Sequence, residues 1–292
     1  MTLSSLEAEN FFRLWHELMY FVDQQTGGKQ EWPVEFEGVG KLSSKATQAL
    51  RAALWERPIL IEDFLASEPP LRDEDKATLA SWQAHHLKGR FVVLKYLKKY
   101  TVVIPMGSDS AAYGILGPSS PIETIVPIAP PVLVDMVLLP FAGKIITDGF
   151  YAPANVYFGG GYRASFKDAL RNIEESVGLT LSLPTDDTAL RPRIGDGNIR
   201  LLKAFRTNLA GQGLSEKVIG QNLETAQTLA AQLIMEPAPR ALLQLDLKTA
   251  QAFLETTPKA ATELKRFARF LYDTNRGDAE RVAELQELRR RS

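Results

Sequence analysis

The stretch RFVVLKYLKKYTVVIPM (residues 90–106) decides the fold class of this chain, because its apolar spacing differs from that of the sequence before it. Its two ends are rich in valine, isoleucine and other residues that favour strands, while its centre, KYLKKY (95–100), is largely polar. Two apolar runs separated by a short polar segment are typical of a β-hairpin. The stretch therefore predicts two antiparallel strands.

More strand-like segments follow this hairpin. Asp148-Gly149 lies between two apolar runs, and Asp-Gly is a strong hairpin signal because glycine tolerates positive φ. Short strands with closely spaced turns indicate a small antiparallel sheet rather than a doubly wound one. The segments expected to form these strands are AAYGIL (111–116), PVLVDMVLLPF (131–141), KIITDGFYA (144–152) and ANVYF (154–158).

Helices are expected before and after the strands in the sequence. Phe11, Leu14 and Leu18 follow the i, i+3, i+4 spacing of an amphipathic helix. Other helical segments show the same periodicity, and helices are expected over about 3–22, 43–55, 59–65 and 73–88 before the sheet and 165–178 after it.

The second half of the chain reads differently. LPTDDTALRPRIGDGN (183–198) is polar, rich in helix breakers and without periodicity, which is typical of a linker. Beyond it the pattern is entirely helical. We therefore expect an α+β fold: an N-terminal domain (1–182) of helices with a small antiparallel sheet, a linker (183–198) and a C-terminal all-α helical bundle (199–292).

Composition limits the function classes. Hydrophobic residues make up 45% and charged residues 24% of the 292 residues, which is ordinary for a globular protein. The absence of cysteine excludes disulfides, thiolate metal sites and a cysteine nucleophile. The first residues lack a signal-peptide pattern, and no run approaches the roughly 20 apolar residues of a membrane span. A cytoplasmic location, without membrane contact, is the expectation.

The charge is distributed unevenly. Residues 1–189 contain 17 lysines and arginines against 23 aspartates and glutamates, whereas residues 190–292 contain 17 against 12. The two parts thus carry formal charges of −6 and +5. Such a split suggests two domains, of which the basic one could face a polyanion. Chance clustering on solvated helices explains it equally well.

The glycine run in VYFGGGYRASFKDAL (156–170) raises the question of an anion site. Backbone N–H groups at the start of a helix can bind a phosphate. The run matches neither the P-loop spacing nor G-x-G-x-x-G, and those motifs occur in parallel βαβ units. A turn from strand to helix is the favoured interpretation, and an anion site the alternative. Its candidate residues are Gly159, Gly160, Gly161, Arg163 and Lys144.

No catalytic or metal motif is recognisable. His85 and His86 are neighbours on a predicted helix, so their side chains point about 100° apart and cannot share a metal. The sequence contains no H-E-x-x-H, G-x-S-x-G or EF-hand pattern. We expect no catalytic residues, no metal and no cofactor.

The segment LLPFAGKIITDGFYAPANVYFGGG (138–161) resembles an uncharacterised bacterial protein family with an "LLPF…KIIYDG" run and a following glycine turn. Thr147 stands where that family has tyrosine. The family implies no activity that could be transferred.

A second resemblance covers residues 199–273. IRLLKAFRTNLAGQGLSEKVIGQNLETAQTLAAQL (199–233), followed by LLQLDLKTAQAFLE (242–255) and ATELKRFARFLYD (261–273), is similar to the helical, SAM-like core-binding domain of tyrosine recombinases. The family's Arg, H-x-x-R and Tyr would follow this module, and the sequence ends at Ser292 without them. The resemblance therefore implies a DNA clamp without strand cleavage.

These observations lead to a first hypothesis: a non-catalytic DNA-associated accessory protein that contacts double-stranded DNA through basic helices near its C-terminus. A nearly neutral polar face on the second helix of the module argues against it. The alternatives are a scaffold whose helical domain docks a partner protein or itself, and an N-terminal domain that binds an anion or nucleotide. The candidate DNA-contacting residues are Lys217, Gln221, Lys259, Lys265, Arg266 and Arg269.

Overall fold

The structure is a computed structural model that describes residues 1–28, 30, 32, 44–107, 111–184 and 189–289, without the side chains of Ser44 and Arg289. Helices and strands are both present in the described part, which confirms a mixed α+β protein. The chain forms two compact units. Of the described residues, 1–107, 113–158 and 180–184 belong to the first, and 111–112, 159–179 and 189–289 to the second.

The first unit contains helices around a six-stranded sheet. Its helices are α1 (Ser5–Gln25), α2 (Ser44–Glu56), α3 (Ile59–Ala66), α4 (Asp73–His85) and the single turn α5 (Ile122–Ile125). Its strands are β1 (Leu87–Tyr96), β2 (Thr101–Pro105), β3 (Tyr113–Leu116), β4 (Val132–Phe141), β5 (Lys144–Thr147) and β6 (Ala152–Pro153).

Five of the strands close into a barrel. The pairing order is β1–β2–β3–β5–β4, and β4 pairs back with β1. The predicted β1–β2 hairpin is confirmed, with Tyr96 opposite Thr101. The expectation of a small antiparallel sheet is wrong in two respects. The sheet is closed, and β3 runs parallel to β5, with Ile115 opposite Ile145. Closure leaves these strands without the unpaired edges of an open sheet.

Strand β4 is buried on both faces, which explains its nearly continuous apolar sequence. Successive residues of a strand point to opposite sides. Val134 and Leu138 accordingly belong to a cluster formed mainly by strand residues of the barrel, and Val137 and Leu139 to a cluster with α1, α2, α3 and α4. Trp82 of α4 also donates from Nε1 to the carbonyl of Pro140, 2.9 Å away.

Asp148-Gly149 does not form the predicted hairpin. The strands on either side of it both pair with β4, β5 along residues 138–141 and β6 along 134–135. Gly149 has φ of +86°, so the expected turn glycine is present. The chain leaves β4 for residues 148–151 and returns to it, and this excursion buries Asp148.

The predicted last strand, 154–158, is not a strand. The amide of Ala154 still donates to the carbonyl of Leu133 at 2.8 Å, and the ladder then ends. Continued in the same register, the opposing segment would place Pro131 opposite Val156 and Pro130 opposite Tyr157, and proline has no amide hydrogen to donate. Proline on the neighbouring segment therefore terminates the pairing.

The second unit is helical in the described residues. Its α-helices are α6 (Gly160–Ser176), α7 (Leu190–Gly211), α8 (Glu216–Met235), α9 (Leu247–Thr256), α10 (Ala261–Asp273) and α11 (Ala279–Leu285). Turns of 3₁₀ helix cover Leu242–Gln244, Pro258–Ala260 and Gln286–Arg289. Phe205 of α7 packs against Phe267 and Phe270 of α10, with ring centroids 5.1 and 5.0 Å away.

The expected boundaries differ from these units. Helix α6 is expected in the N-terminal domain, but it belongs to the second unit. The bundle over 199–292 is therefore not a separate domain, because it shares one compact unit with α6. Gly197 shows why, because a Cβ there would lie 2.2 Å from the carbonyl oxygen of Ser176. Helix α7 also begins at Leu190, inside the predicted linker. The rest of the linker includes 185–188, which lie outside the described residues.

Candidate nucleic-acid interface

Helix α10 carries three of the predicted DNA-contacting residues on one side. Leu264, Phe267 and Leu271 are buried in the core of the second unit. With about 100° between successive residues, Lys265, Arg266 and Arg269 fall within an arc of about 100° on the opposite side. We call this side, with Lys259 in the preceding 3₁₀ turn, the α10 basic face.

The cations of the α10 basic face are only partly neutralised. Nε of Arg269 lies 3.0 Å from Oδ2 of Asp273, and both side chains are exposed. Such surface pairs contribute little to stability, about 0–1 kcal/mol. In the described part of the chain, no ion pair involves Lys259, Lys265 or Arg266.

The other two predicted residues, Lys217 and Gln221, lie on a different helix. Both are exposed on α8, one turn apart and therefore on one side of it. Helix α8 begins after Ser215, whose hydroxyl accepts the amide of Val218, so the predicted N-cap is confirmed. Beside Lys217, Glu216 pairs with Arg206 at 3.0 Å. The α8 face is thus nearly neutral, as its sequence indicates.

Several other arginines of the second unit have internal roles. They bind helix-terminal carbonyls or carboxylates, so the positive charge of this part of the chain does not form one uniform surface. Arg276 and Glu175 form a largely buried pair at 2.7 Å, and Arg240 bridges Glu236 and Asp246 at 2.8 Å each. Main-chain carbonyls are bound by Arg171, Arg191, Arg193 and Arg200.

The glycine run stands where the chain passes from the first unit into the second. Gly159 caps α6 with φ of −68° and ψ of 174°, an ordinary extended conformation. A Cβ at Gly159, Gly160 or Gly161 would meet no described atom within 4 Å. Neither backbone conformation nor crowding therefore requires glycine here. Arg163 lies in the exposed first turns of α6.

Lys144, the remaining anion candidate, has an acidic neighbour. Its Nζ lies 2.5 Å from Oε1 of Glu7 at the start of α1. This hydrogen bond, together with one from the amide of Ser4, lowers the pKa of Glu7 from 4.5 to about 2. Lys144 belongs to the first unit, whereas Gly159, Gly160, Gly161 and Arg163 belong to the second.

A deeply buried ionisable group of the first unit, Asp148, was not singled out from the sequence. The Asp148 side chain has no exposed surface and accepts hydrogen bonds from Nε of Arg51 at 2.5 Å and Nε1 of Trp55 at 2.8 Å. The amide of Phe150 donates to it at 3.2 Å. Burial raises the pKa of Asp148, and these donors act in the opposite direction. In the sequence, the Asp148-Gly149 pair indicates a turn, so it gives no sign that the carboxylate is buried.

The described residues contain neither a metal-binding cluster nor a membrane-spanning helix. No cluster of three or more histidine, aspartate or glutamate side chains there could hold a metal ion. None of the helices in that part of the chain is long and apolar enough to cross a bilayer.

Comparisons with protein-family models, curated proteins and solved structures found no match to this chain. Both resemblances drawn from the sequence therefore stay expectations.

Proposed function

We propose that the second unit is a non-catalytic binding module for double-stranded DNA and that the α10 basic face contacts the phosphate backbone. One observation carries the proposal: Lys265, Arg266 and Arg269, the first two half-buried and the third exposed, lie within one arc of a helix whose opposite side is anchored in the core. A rigid helix presents charges at fixed spacing, as backbone contact requires. The resemblance of residues 199–273 to a recombinase core-binding domain supports the same conclusion.

The chemistry of the face suits phosphate rather than base recognition. Lysine and arginine neutralise phosphates and release counterions, which supplies most sequence-independent affinity. Arg269 can exchange its exposed partner Asp273 for a phosphate at little cost. The hydroxyls of Thr262 and Tyr272, both exposed on the same side of α10, can add neutral hydrogen bonds. With so few cations, the binding should be weak and strongly dependent on salt.

The test is fluorescence anisotropy of a labelled 20-base-pair duplex with the full chain. With three phosphate contacts, affinity should fall about 40-fold between ~50 mM and ~200 mM salt. The K265A/R266A/R269A variant should lose most of the binding and most of this salt dependence. The matched control K95A/K98A/K99A removes three exposed lysines from β1 and the following turn of the first unit.

The control variant should bind as the unmodified protein does. Absence of binding at ~50 mM salt, where phosphate contacts are strongest, would overturn the proposal. An equal loss in both triple variants would do the same, because attraction by net charge alone would then explain the binding.

A further inference from the structure

The first unit contains a cleft of about 380 Å³ that has no counterpart among the sites predicted from the sequence. Clefts that hold small molecules typically measure about 300–1,000 Å³. This one lies between α2, the start of β1, the middle of β4 and the segment that follows β5. Its lining includes Gln48, Arg51, Lys88, Phe150 and Tyr151.

Arg51 is held in the cleft by the buried carboxylate behind it. Its Nε and Nη2 atoms donate to the two oxygens of Asp148 at 2.5 and 3.4 Å. The guanidinium lies 5.4 Å from the ring centroid of Phe150, in a cation–π contact. A guanidinium has five N–H donors, and these two bonds use two of them. The Arg51 side chain is 22% exposed, so it can donate to a ligand in the cleft.

Lys88 supplies a second cation, and the same tryptophan fixes its position. Its Nζ donates to the carbonyl oxygen of Trp55 at 3.1 Å, which uses one of three ammonium donors. The indole nitrogen of Trp55 donates to Asp148, the partner of Arg51. Trp55 thus positions both cations, directly for Lys88 and through Asp148 for Arg51. Prepositioned donors bind a ligand at a lower entropic cost than mobile ones.

The charges around the cleft nearly cancel, apart from one cation. Asp148 neutralises Arg51, and Asp135 at the rim pairs with Arg90 at 3.3 Å. Lys88 then leaves about one net positive charge. A carboxylate matches that charge and can accept two hydrogen bonds side by side, whereas a phosphate monoester carries nearly twice as much charge.

The remaining walls favour an organic body on the ligand. Phe150, which is half-buried, offers apolar surface. The Tyr151 hydroxyl lies 2.6 Å from Oγ1 of Thr147, and burial raises the pKa of Tyr151, so it stays protonated. Gln48 adds an uncharged polar group at the edge.

We infer that the first unit binds an organic monocarboxylate, with its carboxylate between Arg51 and Lys88 and its apolar body against Phe150. The site is independent of the DNA-binding proposal, since it uses no residue of the second unit.

Titration calorimetry on the full chain tests this inference with four probes: benzoate, hexanoate, and their uncharged amides benzamide and hexanamide. We expect saturable binding of at least one acid and at least tenfold weaker binding of its amide, since a hydrogen bond to a charged group contributes about 1.5–3 kcal/mol. Inorganic phosphate is a fifth probe and should bind more weakly than the acid.

Variants then locate the site. Lys88→Met should weaken acid binding about tenfold, whereas Lys95→Met, which removes an exposed lysine from the same strand, should leave it unchanged. Arg51→Met alone would leave the buried Asp148 carboxylate without its cation. The double variant Arg51→Met/Asp148→Asn is therefore used in its place, and it should also lose acid binding. Melting curves confirm that each variant is folded.

Three results would each overturn the inference. One is the absence of saturable binding of either acid at concentrations up to ~50 mM, well above the dissociation constants of weak, millimolar ligands. Another is equal affinity for an acid and its amide, or tighter binding of phosphate. The third is a folded Lys88→Met variant that binds the acid as well as Lys95→Met does.

Discussion

Trp55 and Asp148 are joined by a buried 2.8 Å hydrogen bond that spans 93 residues of sequence. It links the last turn of α2 to the excursion between β5 and β6. Arg51, one turn earlier on α2, binds the same carboxylate. One buried acid therefore binds two residues of α2, in addition to the apolar packing of that helix.

Removing the basic partner of that acid should destabilise the protein strongly. Arg51→Met leaves a buried carboxylate without its cation, and breaking such a pair costs about 3–5 kcal/mol. The Arg51→Met/Asp148→Asn double variant should cost less than the sum of the single changes, because neither charge is then left alone. Urea unfolding at neutral pH measures both. Arg57→Met, an exposed arginine just after α2, should cost less than about 0.5 kcal/mol, and an Arg51→Met loss no larger than that would contradict the prediction.

The Glu7–Lys144 pair should make stability depend on pH in the acid range. The folded state lowers the pKa of Glu7 from 4.5 to about 2, so the unfolded chain takes up the proton first. The pair's contribution is complete above about pH 4.5 and is lost as the pH falls towards 2. Its size should be about 1 kcal/mol, because the pair is partly exposed.

Glu7→Gln tests this prediction, since glutamine keeps the side-chain oxygen that caps α1. Unfolding free energies of the variant and the unmodified protein should differ near neutral pH and converge as the pH is lowered. Glu9→Gln, exposed on the same helix turn, is the matched control. A difference that stays constant from neutral to acid pH would rule out the ion pair as its cause.

Alanine should be tolerated in the glycine run. Gly160 and Gly161 begin α6 without positive φ and without crowding, so Gly160→Ala and Gly161→Ala should raise stability by up to about 1 kcal/mol each. Gly143 in the β4–β5 turn has φ of +70°, and Gly143→Ala should lose about 1–2 kcal/mol. Urea unfolding compares them, and similar losses at all three positions would show that the run is structurally constrained.

Local patterns predicted the helices and the first hairpin well, because their contacts are close in sequence. The 3.6-residue spacing of Phe11, Leu14 and Leu18 is enough to identify α1 and its buried face. Barrel closure depends instead on pairings such as Ile115 with Ile145, for which no local signal exists. The strand-like run at 154–158 failed because prolines opposite it remove the donors.

The candidate sites likewise differ in whether their residues are close in sequence or far apart. The face of α10 could be derived from its sequence, since helical spacing places Lys265, Arg266 and Arg269 together. The Arg51–Asp148 centre could not, because its members are 97 residues apart and Asp-Gly is the signal of an exposed turn. Nothing in the sequence near Lys88 indicates that its ammonium meets the carbonyl of Trp55.

The path of the chain through its two units limits how the protein can be divided. After α6 the chain returns to the first unit for residues 180–184 before it enters α7. A fragment ending at 182 would carry α6 with its apolar side uncovered, and the complementary fragment would lack the partner of Arg276. Dividing the chain once at that point would yield two incomplete fragments with exposed apolar surface. Isolated fragments are therefore unsuitable for testing either DNA binding or carboxylate binding.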